Sequence, residues 1–103
     1  MDYKLIITKT AEDQIDNIVG YVAKVLNNVT AAKSILSDIE LAYTKLENSA
    51  EIFPYCNDSY LEGRGYRKIN LKRHDYVIIY RVEETRVYIL GVFHMKENYG
   101  SKI

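Results

Sequence analysis

The chain has 103 residues, with 14 Lys or Arg against 14 Asp or Glu, so its formal net charge is zero. Its single cysteine, Cys56, excludes an internal disulfide framework and a zinc site built on several cysteines. No apolar run reaches the ~18–20 residues of a membrane span, and no signal-peptide apolar region follows Met1-Asp2-Tyr3-Lys4. The length suits one domain, residues 1–103, and the expected setting is a reducing cytoplasm.

Residues 3–8 are apolar and β-branched and predict a first strand. Thr10 offers a helix N-cap, with Asp13 three residues on. Ile15, Ile18, Val19, Val22, Val25 and Leu26 follow at spacings of three and four. They predict one buried stripe on a helix over residues 11–26. Asn27-Asn28 breaks the pattern, and Thr30 is the next N-cap candidate. Ala32, Ile35, Leu36, Ile39, Tyr43 and Leu46 mark a second helix, to about residue 48. Two helices joined by so short a turn form an antiparallel hairpin.

Residues 49–65 lose periodicity and hold the only proline, Pro54. This segment predicts a connecting loop. The period then switches to two. Residues 66–71, 76–82 and 86–95 predict three strands of an antiparallel meander, with turns at 72–75 and 83–85. The expected fold class is α/β in the broad sense, or α+β. A helix hairpin would pack on one face of a mainly antiparallel four-stranded sheet, and the N-terminal strand would add at one side of the meander, either side being open.

Strand parity assigns Ile69, Leu71, Tyr76, Ile78, Tyr80, Val82, Leu90 and Val92 to the face under the helices. The other face then carries Tyr66, Lys68, Asn70, Val77, Ile79, Arg81, Val87, Ile89, Gly91, Phe93 and Met95. That face is too apolar to meet water. Either a partner segment lies on Val77, Ile79, Phe93 and Met95, or the chain's own loop or tail covers them.

Charge is split along the chain. Residues 1–62 carry five basic and ten acidic side chains, and residues 63–103 carry nine and four. The basic half supplies Arg64, Arg67, Lys72 and Arg73 as candidates for contacting nucleic acid. Its end, His94-Met95-Lys96-Glu97-Asn98-Tyr99, gathers a proton-exchanging imidazole, a cation and a phenol.

Three segments stand in a particular order: Gly65-Tyr66-Arg67-Lys68-Ile69, Tyr76 through Val82, and Val87 through His94, followed by Tyr99. With the preceding strand and helix hairpin, the chain resembles the RelE/ParE superfamily of bacterial type II toxin–antitoxin toxins. The resemblance covers nearly the whole chain. It implies a growth inhibitor neutralised by a cognate antitoxin. Toxins of RelE type cut mRNA on the ribosome without metal or other cofactor, whereas ParE-type toxins poison DNA gyrase. A third possibility is a member that only binds its antitoxin. For a nuclease, the resemblance implies Lys68 as a working lysine, and Arg81, His94, Lys96 and Tyr99 remain as the other polar catalytic candidates. Asn70, Val77 and Met95 stand where such nucleases carry further cations.

Overall fold

A computed structural model describes residues 2–103. Strand β1 (Lys4–Ile7) leads into α1 (Lys9–Gly20), which continues as a wider turn over Tyr21–Val25. Helix α2 (Val29–Ser49) returns antiparallel. A 3-10 turn (Ala50–Ile52) and the short α3 (Ser59–Gly63) precede β2 (Arg67–Asn70), β3 (Tyr76–Glu83) and β4 (Arg86–His94). The sheet order is β1-β4-β3-β2, with β1 parallel to β4 and the rest antiparallel. The α+β fold is the expected one. The sequence left the place of β1 open, and the structure puts it beside β4.

Helix starts are decided by who else can use the capping side chain. Thr8, not Thr10, caps α1. Its hydroxyl accepts from Ala11 N–H (3.3 Å) and donates to the Ile89 carbonyl (2.7 Å), so one residue ends β1, ties it to β4 and opens the helix. Asn28, not Thr30, caps α2 by accepting from Ala31 N–H (3.0 Å). Asn27 before it takes the left-handed conformation (φ 51°), which Asn tolerates better than most residues.

The main core lies between the helices and the sheet. Ile35, Ile39, Ala42 and Leu46 of α2 meet Ile69, Ile78, Tyr80, Val87, Ile89 and Val92. Tyr80 is fully buried and donates to the Ala50 carbonyl (2.6 Å), which ties the sheet to the end of α2. Asp38 is the one charged side chain in this buried layer among the described residues. Its carboxylate accepts backbone N–H groups of Lys72 (3.2 Å), Arg73 (2.8 Å) and His74 (3.1 Å) and so holds the β2–β3 turn against α2. His74 is expected from its turn position to be solvated. Instead its ring lies 3.0 Å from the Ser34 hydroxyl.

Two expectations from apolar spacing fail, one of strand parity and one of helix periodicity, each for a local reason. Val87 and Ile89 point under the helices, and Leu90 packs on the other face. The cause is a bulge opposite Ile79 and Tyr80: Ile79 pairs with Gly91 and Tyr80 with Ile89, leaving Leu90 as the extra residue. The Val92 N–H beside the bulge donates to Gln14 Oε1 (2.8 Å). Gly91 makes this possible, because a Cβ there would stand 2.5 Å from the Phe93 ring and 3.0 Å from Gln14 Oε1. The second failure is at the hairpin tip. Leu26 N–H donates to the Tyr21 carbonyl (3.1 Å), five residues back, so the last turn of the first helix is widened. Val25 and Leu26 are thereby carried out of the stripe into solvent.

The second sheet face is covered by the chain itself. Cys56 and Leu61 from the long loop, and Tyr99 and Ile103 from the tail, close over Tyr66, Val77, Ile79, Leu90 and Phe93. Asp58 caps α3 by accepting from Tyr60 and Leu61 N–H (2.9 and 3.1 Å). Gly65, at φ 78°, ends it in the left-handed conformation that suits glycine.

Two stability measurements check this packing. Asp38→Ala strands three backbone donors and should cost about 2–3 kcal/mol in urea unfolding. A loss below about 1 kcal/mol would mean that the turn stands without the carboxylate. Tyr43 has a buried hydroxyl with no hydrogen-bond partner among the described residues, and burial pushes it up to about 12. Tyr43→Phe should therefore be neutral or stabilising by up to about 1 kcal/mol, and a clear loss would contradict it.

Candidate functional site

The residues nominated for chemistry are set out by strand register. His94 ends β4 opposite Tyr76, and the two rings meet edge-on at 5.5 Å. Tyr76 packs against the helix-side core, so His94 lies on that side of the sheet. Its Nδ1 accepts the Lys96 N–H (3.2 Å), so the neutral ring carries its proton on Nε2. His94 N–H in turn donates to Glu97 Oε1 (3.0 Å), and Lys102 Nζ stands 2.6 Å from Glu97 Oε2. The Lys102 contact, followed by the His94 N–H, holds the Glu97 carboxyl below its ordinary value. Lys96 is exposed beside this cluster.

The other catalytic candidates lie elsewhere. Tyr99 turns to the opposite face and stacks on Phe93, with centroids 5.7 Å apart. Burial pushes its hydroxyl up. Lys68 pairs with Ile79 on β2, also toward the second face. Arg81 lies five residues along β3 from Tyr76, or ~17 Å at strand rise. It is held by Glu83 (2.6 Å) and lies over the Tyr88 ring (4.0 Å). His94 and Lys96 are therefore neighbours, while Lys68, Arg81 and Tyr99 do not join them.

Two of the four proposed nucleic-acid contacts are engaged in holding the covering loop. Arg67 Nη1 donates to the carbonyls of Glu51 (3.1 Å) and Phe53 (2.7 Å). Its Nη2 donates to the Tyr55 hydroxyl (2.9 Å), and the guanidinium lies 4.1 Å from the Tyr55 ring centroid. Arg64 sits between Tyr60 and Tyr66, 5.6 and 5.5 Å from their centroids, and its Nε donates to the Tyr66 hydroxyl (3.2 Å). Lys72 and Arg73 stand exposed at the β2–β3 turn.

In this fold the expected partner groove is covered by the chain's own loop and tail. Val77, Ile79 and Phe93 are buried in the second cluster and offer no surface in this fold, because the loop and tail take the place of an outside segment. Met95 alone of that set is exposed, at 45%. Cys56 is fully buried, and burial pushes its thiol up, as suits a passive packing residue. Among the described residues no three His, Cys, Asp or Glu side chains gather to hold a metal ion.

Periodicity missed the tip of the helix hairpin. Tyr21, Val25, Leu26 and Val29 are 54%, 67%, 56% and 54% exposed. The available signal was charge: residues 17–32 contain only Lys24, in a chain that is 27% charged.

The Glu97 contacts yield a pH prediction. A carboxyl lowered in the fold stabilises it above the unfolded value, near 4.5, and that contribution is lost as pH falls through the lowered value. Amide exchange at residues 99–103 should therefore quicken relative to the β3 core as pH drops below about 4.5. Glu97→Gln should show the quicker exchange already at pH 7 and lose the pH step. An unchanged step in Glu97→Gln would exclude Glu97 as its source.

Comparison with known proteins agrees with the architecture. The structure is similar to the chromosomal ParDE toxin–antitoxin system from P. aeruginosa, with TM-score 0.73 and 22% identity over 89% of this chain and 95% of that one. It is also similar to the toxin–antitoxin complex RelBE2 from Mycobacterium tuberculosis, with TM-score 0.60 and 18% identity over 91% and 99%. No curated protein matches the chain in sequence. Residues 5–99 match the family described as ParE toxin of type II toxin-antitoxin system, parDE. The chain thus belongs to the ParE toxin family of the RelE/ParE superfamily, the toxins of type II toxin–antitoxin systems.

Proposed function

We propose that this toxin arrests growth by binding DNA gyrase in the cytoplasm rather than by cutting mRNA, and that a cognate antitoxin neutralises it by binding it directly. The observation that carries the reading is the separation of the groups a nuclease would need. Cleavage by attack of a ribose 2′-hydroxyl needs a base, a phosphate-binding cation and an acid within hydrogen-bond reach of one phosphate. Here the imidazole and the cations Lys68 and Arg81 lie on opposite sides of the sheet. The only phenol among the nominated residues is stacked against Phe93. Arg64, Arg67 and Arg81 are tied to tyrosines, backbone or Glu83. Membership of the ParE family supports a gyrase target, and both similar structures are described as toxin–antitoxin systems, which supports the antitoxin.

Ribosome-dependent cleavage is the second reading. The cluster of His94, Lys96, Glu97 and Lys102 favours it, with His94 or Glu97 as base.

The two readings separate when the chain is expressed alone. Gyrase-linked DNA breaks with intact mRNA are expected. His94→Ala and Lys96→Ala should keep growth inhibition within about twofold, since a lost general base typically costs ~100-fold or more. Early mRNA cleavage that disappears in His94→Ala would overturn the binding reading and establish the nuclease.

A further inference from the structure

We propose that the tip of the helix hairpin is the knob by which this toxin docks on its target, a larger folded protein with an uncharged apolar cleft; the proposal rests on the binding mode of action above. Tyr21, Val25, Leu26 and Val29 fall within nine residues and are each more than half exposed. Sequence periodicity places Val25 and Leu26 in the core. The Leu26-to-Tyr21 hydrogen bond widens the turn and presents them to solvent instead. Widened helical turns occur preferentially at functional sites. Charge is sparse along this stretch: Lys24 is the only charged residue from 17 to 32. Depletion of charge around aromatic and aliphatic anchors marks the centre of a protein interface.

Area argues for the occupant. Four side chains exposed to this degree supply at most about half of the ~800 Å² that each member of a stable pair buries. Two tips pressed together would therefore not hold a dimer. A convex tip gains contact area only by entering a concavity, where a few desolvated anchors can carry most of the binding energy. A cleft on a larger protein provides this, and burying the four apolar anchors requires that its walls be apolar too.

Val29→Glu tests the proposal without harming the fold, since an acid in the first turn of α2 is favoured by the helix N-terminus. Leu26→Glu is the second variant. Ile52→Glu, at an apolar position 75% exposed in the 3-10 turn beyond the far end of α2, is the control. The assay is inhibition of supercoiling by purified gyrase holoenzyme, with melting temperature and sedimentation recorded for each protein. Val29→Glu and Leu26→Glu should each weaken inhibition at least tenfold at unchanged melting temperature, while Ile52→Glu stays within twofold of wild type. Tip variants that inhibit like wild type would overturn the docking proposal and leave the gyrase reading standing. If wild type itself leaves gyrase untouched, the gyrase reading falls and growth inhibition on expression becomes the readout. Loss of growth inhibition in Val29→Glu then supports the knob, and retention overturns it. A wild-type dimer that both tip variants dissolve would also overturn it, because a second copy would then be the occupant.

Discussion

The sheet is apolar on both faces, and that constraint governs the rest of the molecule. Four strands with one helix hairpin leave one face uncovered. Val77, Ile79 and Phe93 on that face cannot stay wet at acceptable cost, since each buried aliphatic or aromatic side chain is worth about 1.5–3 kcal/mol relative to exposure. The chain covers them with what it has left, the 53–66 segment and the tail. Cys56 and Leu61 come from one, Tyr99 and Ile103 from the other.

Several side chains that look chemical are then committed to this covering. Arg67 gathers the Glu51 and Phe53 carbonyls and the Tyr55 ring, which fixes the start of the loop. Arg64 does the same for α3 through Tyr60 and Tyr66. Glu97 anchors the tail through Lys102, and Tyr99 lies on Phe93. A guanidinium in three hydrogen bonds and an aromatic stack gives up those contacts before it can clamp a phosphate. The positive half of the chain is thus partly an internal adhesive. With the second face closed, the largest apolar side chains left in solvent include those at the far end of the helix hairpin.

The order of elements was legible from residue patterns, because apolar spacing switches from three-four to two at residue 66. Three features escaped. The bulge at Leu90 reverses strand parity, and Gly91 beside it is too small a clue to place a bulge. The widened turn at Tyr21–Val25 extends a helical pattern while turning Val25 and Leu26 outward. Helix caps were misplaced by two residues because Thr8 and Asn28 compete with Thr10 and Thr30, and only tertiary contacts decide. The covered face was legible as a choice between an outside segment and the chain's own loop or tail. The grouping of catalytic candidates was not legible, since facing requires the register of β4 on β3.

The most direct test is whether the second face is closed in the free toxin in solution. Nuclear Overhauser contacts between the rings of Tyr99 and Phe93, with methyl contacts from Ile103 to the same cluster, are the result this account predicts. Their absence, with the Phe93 ring open to a soluble paramagnetic quencher, would contradict it. The sheet would then present an apolar groove, and the arrangement of the nominated side chains described above would no longer hold.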